Sequence, residues 1–431
     1  MEVLMKQFKV ILIGAGSRGI NYAYQMSLMP EKYKIVGVAD TIKERRDVVK
    51  KLHKLSDEDC FESWEDILDR PKFADIAVIA TMDNLHYAPA MKAIELGYNL
   101  LLEKPVAPTA QQCVDIAVAA KKHNVEVLVC HVLRYAPFYK AVKKLLLDDA
   151  IGQIMSLAAV EAVGHIHYSH SYTRGDWHRE DETTPMLLAK CCHDLDIIQW
   201  LIDKPCKKVS SFGELTYFTP ENAPEGAPER CIDGNCPASD TCPYNCRKVY
   251  IDDKTNWMRN IAARGFSKTF IAEDDEILQG LRNTNFGACV FHANNDVVDH
   301  QVVNMEFEGC ATASLTMNAF NEGGRYIRIF GTKGELYANA SDAEITLFLF
   351  DTNEKIQVPV EQIGESIVDG HGGGDYGIVV ELYDYLSGNY TGYCAANIEV
   401  SVQNHLIGFA AEKARRNDTV EYVSDFINSM K

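Results

Sequence analysis

Leu100-Leu101-Leu102-Glu103-Lys104-Pro105 reads as a buried strand that stops abruptly at a charged pair and a proline. A parallel strand covered on both faces is a continuous apolar run. A lysine at the carboxyl end of such a strand stands on the crevice where open α/β sheets bind ligands. Pro105 cannot continue a central ladder, so the chain turns there. Taken alone, Glu103 and Lys104 read equally as a surface salt bridge at a strand end. The residues upstream decide between the two.

Upstream, Phe8-Lys9-Val10-Ile11-Leu12-Ile13 is an apolar strand that runs into Gly14-Ala15-Gly16-Ser17-Arg18-Gly19. Such glycines permit a tight turn, close approach of a pyrophosphate and close packing of the next helix. That helix offers free N–H groups to the phosphates. A second strand, Lys34 to Ala39, ends in Asp40, at the spacing of roughly 20 residues expected of an acid that bonds the ribose hydroxyls of NAD. A 2′-phosphate meets repulsion at Asp40. Arg45 and Arg46 could partly offset it, but they read as solvated residues of the following helix.

Alternation continues. Ser63 and Asp66 open a short helix. Ala74 to Ala80 is a strand ending at Thr81-Met82-Asp83-Asn84-Leu85-His86, and a helix follows to Gly97, a natural left-handed stop. After the Leu100 strand, Thr109 and Gln112 open a helix to Asn124. Val125 to Cys130 is a further strand, ending at His131 and Arg134. This alternation means a doubly wound parallel sheet, with Thr81, His86, Lys104 and His131 on one rim. His86 reads equally as a cap of its own helix. The candidate cofactor residues are Gly14, Gly16, Ser17, Arg18, Gly19, Asp40, Thr81, Asp83, His86, Glu103 and Lys104.

The chain has 431 residues, too long for one ordinary core, so two domains are expected. Its formal charge of −18 argues against nucleic-acid or anionic-membrane partners, which need a basic face. No apolar run reaches the roughly 20 residues of a membrane span, and the first strand is too short and glycine-bound for a signal segment. A cytoplasmic location is expected. The 13 cysteines mostly lie singly in apolar segments and read as small core residues of a reduced compartment.

The glycine loop, the Thr81–His86 stretch and above all Glu103-Lys104-Pro105 together resemble the glucose–fructose oxidoreductase/inositol dehydrogenase family, written Gfo/Idh/MocA. Downstream, His193-Asp194-Leu195-Asp196 is similar to its second-domain His-x-x-Asp element. Ile151-Gly152-Gln153-Ile154 is similar to the entry into that domain, and Gly331-Thr332-Lys333-Gly334 to a late strand turn within it. The resemblance implies a nicotinamide cofactor and sugar-like or cyclitol substrates. It also implies a fold of an N-terminal Rossmann domain, 1–133, and a C-terminal α+β domain, 134–431, with a large, mostly antiparallel open-faced sheet. Many members carry an Asp four residues before the catalytic His; here Ala189 stands there, followed by Lys190. Lys190 either replaces that group or reverses its charge.

Leu188, Cys191, Leu195, Ile198 and Ile202 recur at helical spacing, and Lys190, His193 and Asp196 share another face of the same helix. That face is either solvated or presents an amine, an imidazole and a carboxylate to a site, with Asp196 orienting His193. Hydride transfer from a carbinol needs a base for the hydroxyl proton and a cation for the developing alkoxide. His193 suits the first and Lys104 the second. Lys190 joins them as a catalytic candidate, able to help hold an alkoxide or a substrate anion.

Gly164 to His178 is dense in His, Tyr, Arg and Trp, a mix that suits a sugar or, blandly, a surface loop. The candidate substrate residues are His131, Arg134, His170, Tyr172, Arg174, Trp177, Lys190 and Asp196.

A Cys- and Pro-rich insertion at about 219–247 holds Cys231, Cys236, Cys242 and Cys246, and it reads as lacking a core of its own. The thiols are a structural metal clip, free thiols or a redox-sensitive lid. Val297 to Leu349 is strand-rich. His371-Gly372-Gly373-Gly374-Asp375 is a loop before a helix, and Ser401 to Arg415 a closing helix carrying His405.

The function expected is NAD-dependent hydride transfer at a hydroxyl-bearing carbon of a sugar, glycoside or cyclitol. Two alternatives stand beside it: a redox-neutral enzyme that oxidises transiently and eliminates, and a non-catalytic NAD-linked sensor. A homo-oligomer, dimer or tetramer, joined through the exposed sheet face is expected.

Overall fold

A computed structural model describes residues 6–255, 258–261, 272–360 and 371–429. Six strands form the first sheet: β1 (Phe8–Ile13), β2 (Tyr33–Ala39), β3 (Cys60–Phe61), β4 (Ile76–Ile79), β5 (Asn99–Leu102) and β6 (Val127–Val129). Their order is β3-β2-β1-β4-β5-β6, and every pairing is parallel. Order reverses between β1 and β4, so the crevice at their carboxyl ends is the ligand position of a doubly wound sheet. β5 is buried from Leu100 to Leu102, as a strand covered on both faces should be.

Local signals place the helices between these strands. The Ser63 hydroxyl accepts the Asp66 N–H, and the Thr109 hydroxyl the Gln112 N–H. Asn124 ends its helix in the left-handed conformation, with φ +52°.

The second sheet contains β7 (Ile154–Ala162), β8 (Cys206–Glu214), β9 (His300–Phe307), β10 (Thr312–Asn318), β11 (Gly324–Gly331), β12 (Gly334–Asn339), β13 (Glu344–Leu349), β14 (Lys355–Val358) and β15 (Glu421–Tyr422). The order is β14-β13-β12-β11-β7-β10-β9-β8-β15, antiparallel except for the β7–β10 pair. One face packs Leu157, Ala159, Leu315, Ile327 and Ile329 against the helix Cys192–Ile202 and its neighbours. The other leaves Phe212, Tyr326 and Arg328 in solvent.

The carboxyl-terminal part returns to the Rossmann sheet. The helix Gly374–Leu386 packs on the helix Ser17–Ser27, and Val129 N–H bonds Ala396 O at 2.9 Å beside β6. The two sheets thus share one continuous core.

The chain between β8 and β9 corrects one expectation. Ile232, Cys246, Val249, Tyr250, Ile251, Met258, Ile277 and Leu281 form a separate small core, so the insertion is internally packed. Its polar, proline-rich surface hid the apolar residues that lie beyond 247, in the helix Asp274–Asn283 and its approach.

Candidate active site

The glycine loop is shaped for a close ligand. Gly14 has φ +89°, and a Cβ there would meet Ala80 O at 2.6 Å. A Cβ at Gly19 would meet Gly14 O at 1.9 Å, so helix and loop touch. At Gly16 the same construction meets only Arg45 Nη1, at 3.9 Å, leaving open space over the loop. Among the described residues no side-chain cap bond is made at Gly16, where the helix Ser17–Ser27 begins, and a helix N-terminus favours an anion. The Asp40 carboxylate accepts N–H bonds from Ala15 at 2.7 Å and Ile42 at 2.8 Å, which fix it at the end of β2. These residues fit a dinucleotide. Arg46 is not solvated: it is buried and donates to Asp40 O at 2.5 Å.

Glu103 is enclosed. It accepts from Arg18 Nε and Tyr22 Oη, both at 2.7 Å, and from Lys104 N–H at 2.9 Å. Arg18 also forks onto Asp375 at 2.6 and 2.9 Å. Burial alone would raise Glu103 and Asp375, but Arg18 outweighs it and holds both carboxyls below their usual range. Glu103 therefore braces the turn that aims Lys104, and the Arg18 side chain is committed to that brace. Neither is placed to bind cofactor through its side chain.

His86 does not line the rim either. It is buried, with Nδ1 2.7 Å from Pro105 O and Nε2 3.1 Å from Thr81 O, tying two strand ends together. Asp83 is likewise buried, accepting Trp177 Nε1 at 3.0 Å and Thr184 Oγ1 at 3.3 Å, a latch between the two halves of the chain. Thr81 stays partly exposed on the rim.

Lys104 reaches across to the second half, where its Nζ donates to Ala189 O at 3.0 Å. The expected single helix is broken here. Met186–Ala189 is one short helix, Cys192–Ile202 another, and Lys190 lies between them. The polar face is buried, not solvated. His193 sits in the first turn of the second helix with Nδ1 unpartnered among the described residues. Burial, then the nearby Lys104, His371, Arg325 and His131, hold its pKa well below the usual imidazole value, so it is neutral.

Lys190 stands 3.4 Å from Glu161 Oε1. Arg325 Nε lies 2.5 Å from Glu161 Oε2 and 2.9 Å from Asp194 Oδ1. Glu161 on β7 and Arg325 on β11 are direct cross-strand partners, so sheet register builds this cluster. Burial, then Arg325 opposed by the like charge of Glu161, leaves Asp194 raised to about 6. Burial lowers Lys190, with Glu161 resisting. Glu161, Asp194 and Arg325 were not singled out from the sequence. The available signal was a lone acid in an otherwise apolar strand, Ile154 to Ala162.

Beneath His193 lies a second layer. Arg134 forks onto Asp196 at 2.6 and 2.7 Å, and Asn404 Nδ2 adds a bond at 2.7 Å. His131 packs edge-on between His193 and His405. His131, Arg134 and Asp196 are all enclosed, which corrects their reading as substrate contacts. Asp196 orients Arg134 and Asn404, not His193.

The segment from Gly164 is no surface loop: His165–Tyr168 is helical and Ser169–Arg174 continues it as a buried wide turn. His170 bonds Tyr250 Oη at 3.0 Å and lies against Phe286, while Arg174 bonds Ala288 O and Tyr244 O, both at 2.8 Å. Both hold the insertion and are withdrawn as substrate contacts. Tyr172 and Trp177 remain beside the site, their rings 6.4 Å apart.

The insertion thiols lie near one another but not in the arrangement of a metal clip among the described residues. No group of three or more His, Cys, Asp or Glu among the described residues could hold a metal ion, whereas Cys246 N–H approaches Cys231 Sγ at 3.3 Å. Ligand spacing in sequence cannot show which sulfurs turn inward.

Residues 8–131 match the model of an oxidoreductase family's NAD-binding Rossmann fold, and residues 143–421 that of its C-terminal alpha/beta domain. The chain belongs to the Gfo/Idh/MocA oxidoreductase family.

Oxidoreductase YteT of Bacillus subtilis (strain 168) is 26% identical over 424 residues, covering 89% of this chain and 92% of that protein. An inositol 2-dehydrogenase/D-chiro-inositol 3-dehydrogenase of Lactiplantibacillus plantarum is 23% identical over 49% of this chain and 56% of its own length. Among solved structures, levoglucosan dehydrogenase in complex with NADH and levoglucosan superposes with a TM-score of 0.70 at 16% identity, covering 97% of this chain and all of that one, a likeness of fold. Within this family the chain places Ala189 and Lys190 before His193, and the Lys190–Glu161 pair gives that departure a partner. No helix among the described residues is long and apolar enough to cross a membrane.

Proposed function

We propose that the chain transfers a hydride between NAD and a hydroxyl-bearing carbon of a sugar, glycoside or cyclitol. The observation that carries this reading is the pairing across the cleft: Lys104 from the end of β5 bonds Ala189 O, in the helix just before neutral His193. Bound nicotinamide would supply the hydride acceptor. His193 takes the hydroxyl proton, and Lys104 stabilises the negative oxygen that forms. Lys190, neutralised by Glu161, donates to a neighbouring hydroxyl. Asp194 Oδ2, without a partner among the described residues, accepts from another, since a buried acceptor left empty is costly. Tyr172 and Trp177 offer apolar faces to the ring.

Asp40 supports NAD over NADP, because a 2′-phosphate would sit against its carboxylate. Asp40→Ser is expected to weaken NAD and narrow the preference; equal affinity of the unaltered protein for NADP would refute the assignment. We also place the division of the chain at 133/134, with the Cys/Pro-rich insertion starting near 219.

The test is a panel of sugars, uronic acids, glycosides and cyclitols, followed by NADH absorbance and by product mass spectrometry. Oxidised product with stoichiometric NADH is expected. New product without net NADH would select the redox-neutral reading, and NAD binding without any turnover would select a sensor.

A further inference from the structure

Arg174 is 1% exposed, and its guanidinium is charged at any ordinary pH. Nε and Nη2 are satisfied by Ala288 O and Tyr244 O, but among the described residues Nη1 has no hydrogen-bond acceptor, and no carboxylate pairs with the guanidinium. A buried charge without a counter-charge is strongly unfavourable. The ionisable groups that face it are Tyr250, whose hydroxyl also bonds the guanidinium, His170, Cys231, Cys242, Cys246 and Cys289. Cys231 is half-buried and accepts the Cys246 N–H at 3.3 Å, while the Cys246 thiol also points at its sulfur. Cys242 lies near Cys231 as well, and Arg247 faces Cys246.

We propose that Cys231 and Cys246 form a reactive dithiol, in which the Cys231 thiolate is the counter-charge of Arg174 and which a hydroperoxide closes to a disulfide. Burial would raise the Cys231 thiol, but the hydrogen bonds from Cys246, with Arg174, bring it down to about 6. Cys246 is pushed up by donating to Cys231 and by burial, so it holds the proton. Cys231 sulfur attacks the peroxide, breaking the O–O bond and forming a sulfenic acid with release of water or alcohol. Cys246 sulfur then displaces the sulfenic oxygen, which leaves with the remaining proton as a second water. Two thiols lose two electrons and the peroxide gains them.

The test uses the full chain. Alkylation with iodoacetamide, followed peptide by peptide, should give a Cys231 rate that levels off above about pH 6–7, whereas free N-acetylcysteine in the same tube should keep accelerating to about pH 8.5, the ordinary thiol value. Hydrogen peroxide at one equivalent should yield a Cys231–Cys246 linked peptide, and Cys246→Ser should leave a dimedone-reactive sulfenic acid at Cys231. The proposal is overturned if Cys231 titrates like the free thiol, if no linked peptide forms, or if the purified protein carries zinc that blocks both thiols.

Discussion

His193 is kept neutral by its burial and the cations around it, so it accepts a proton without first losing one. Exchanging His193→Ala or Lys104→Ala should each lower turnover by about 10²–10⁴-fold, with NAD affinity unchanged by calorimetry. The double variant should be far less than multiplicatively worse, because the two groups act on one proton transfer. Asp194 supplies a pH handle. Its folded pKa, near 6, lies above an ordinary aspartate, so its contribution to stability is present below about pH 4 and lost as pH rises through 6. Between pH 4 and 7.5 the wild type should therefore lose on the order of 2 kcal/mol relative to Asp194→Asn in urea unfolding. An identical pH dependence in the two proteins would contradict it. Lys104 and His193 enter the proposed site from motif alone. Glu161 and Arg325 do not, because cross-strand register between β7 and β11 brings them together over a long sequence separation.

In the proposed reaction, the break between the helices Met186–Ala189 and Cys192–Ile202 is the element that would aim the chemistry. Apolar spacing ran straight through Lys190 and so predicted one helix, its polar face either solvated or turned to a site. Periodicity reports which residues are apolar, and it does not report that a second sheet will cover the polar ones too. The Arg134–Asp196–Asn404 layer fixes the second helix from below. Removing one partner of a buried ion pair costs about 3–5 kcal/mol. Asp196→Ala should thus lower stability by that amount in denaturant unfolding, with turnover lost in parallel. Retention of wild-type stability would show that the layer is not what holds the helix. The same reasoning explains His170 and Arg174: their residue types suit a sugar, but their partners belong to the insertion.

At the scale of the whole molecule, alternation of strands and helices made five of the six Rossmann strands readable nearly to their ends, while the two-residue edge strand β3 was too short to leave a signal. The return of the carboxyl-terminal helices onto that sheet had no local signature. The outer face of the second sheet exposes Phe212, at 64%, and Tyr326 among polar neighbours such as Arg328, and we expect a second copy of the chain to cover it. Light scattering at micromolar concentration should give a dimer or tetramer, and Phe212→Glu should shift it toward monomer; a monomeric wild type would refute this. The central claim is that the two halves close on one hydroxyl. Its most direct test is a crystal structure with NAD and an oxidisable sugar bound. One substrate oxygen should lie within hydrogen-bond reach, about 3 Å, of both Lys104 Nζ and the His193 ring. Lys104 and His193 on opposite sides of the nicotinamide, with no oxygen shared between them, would contradict the account.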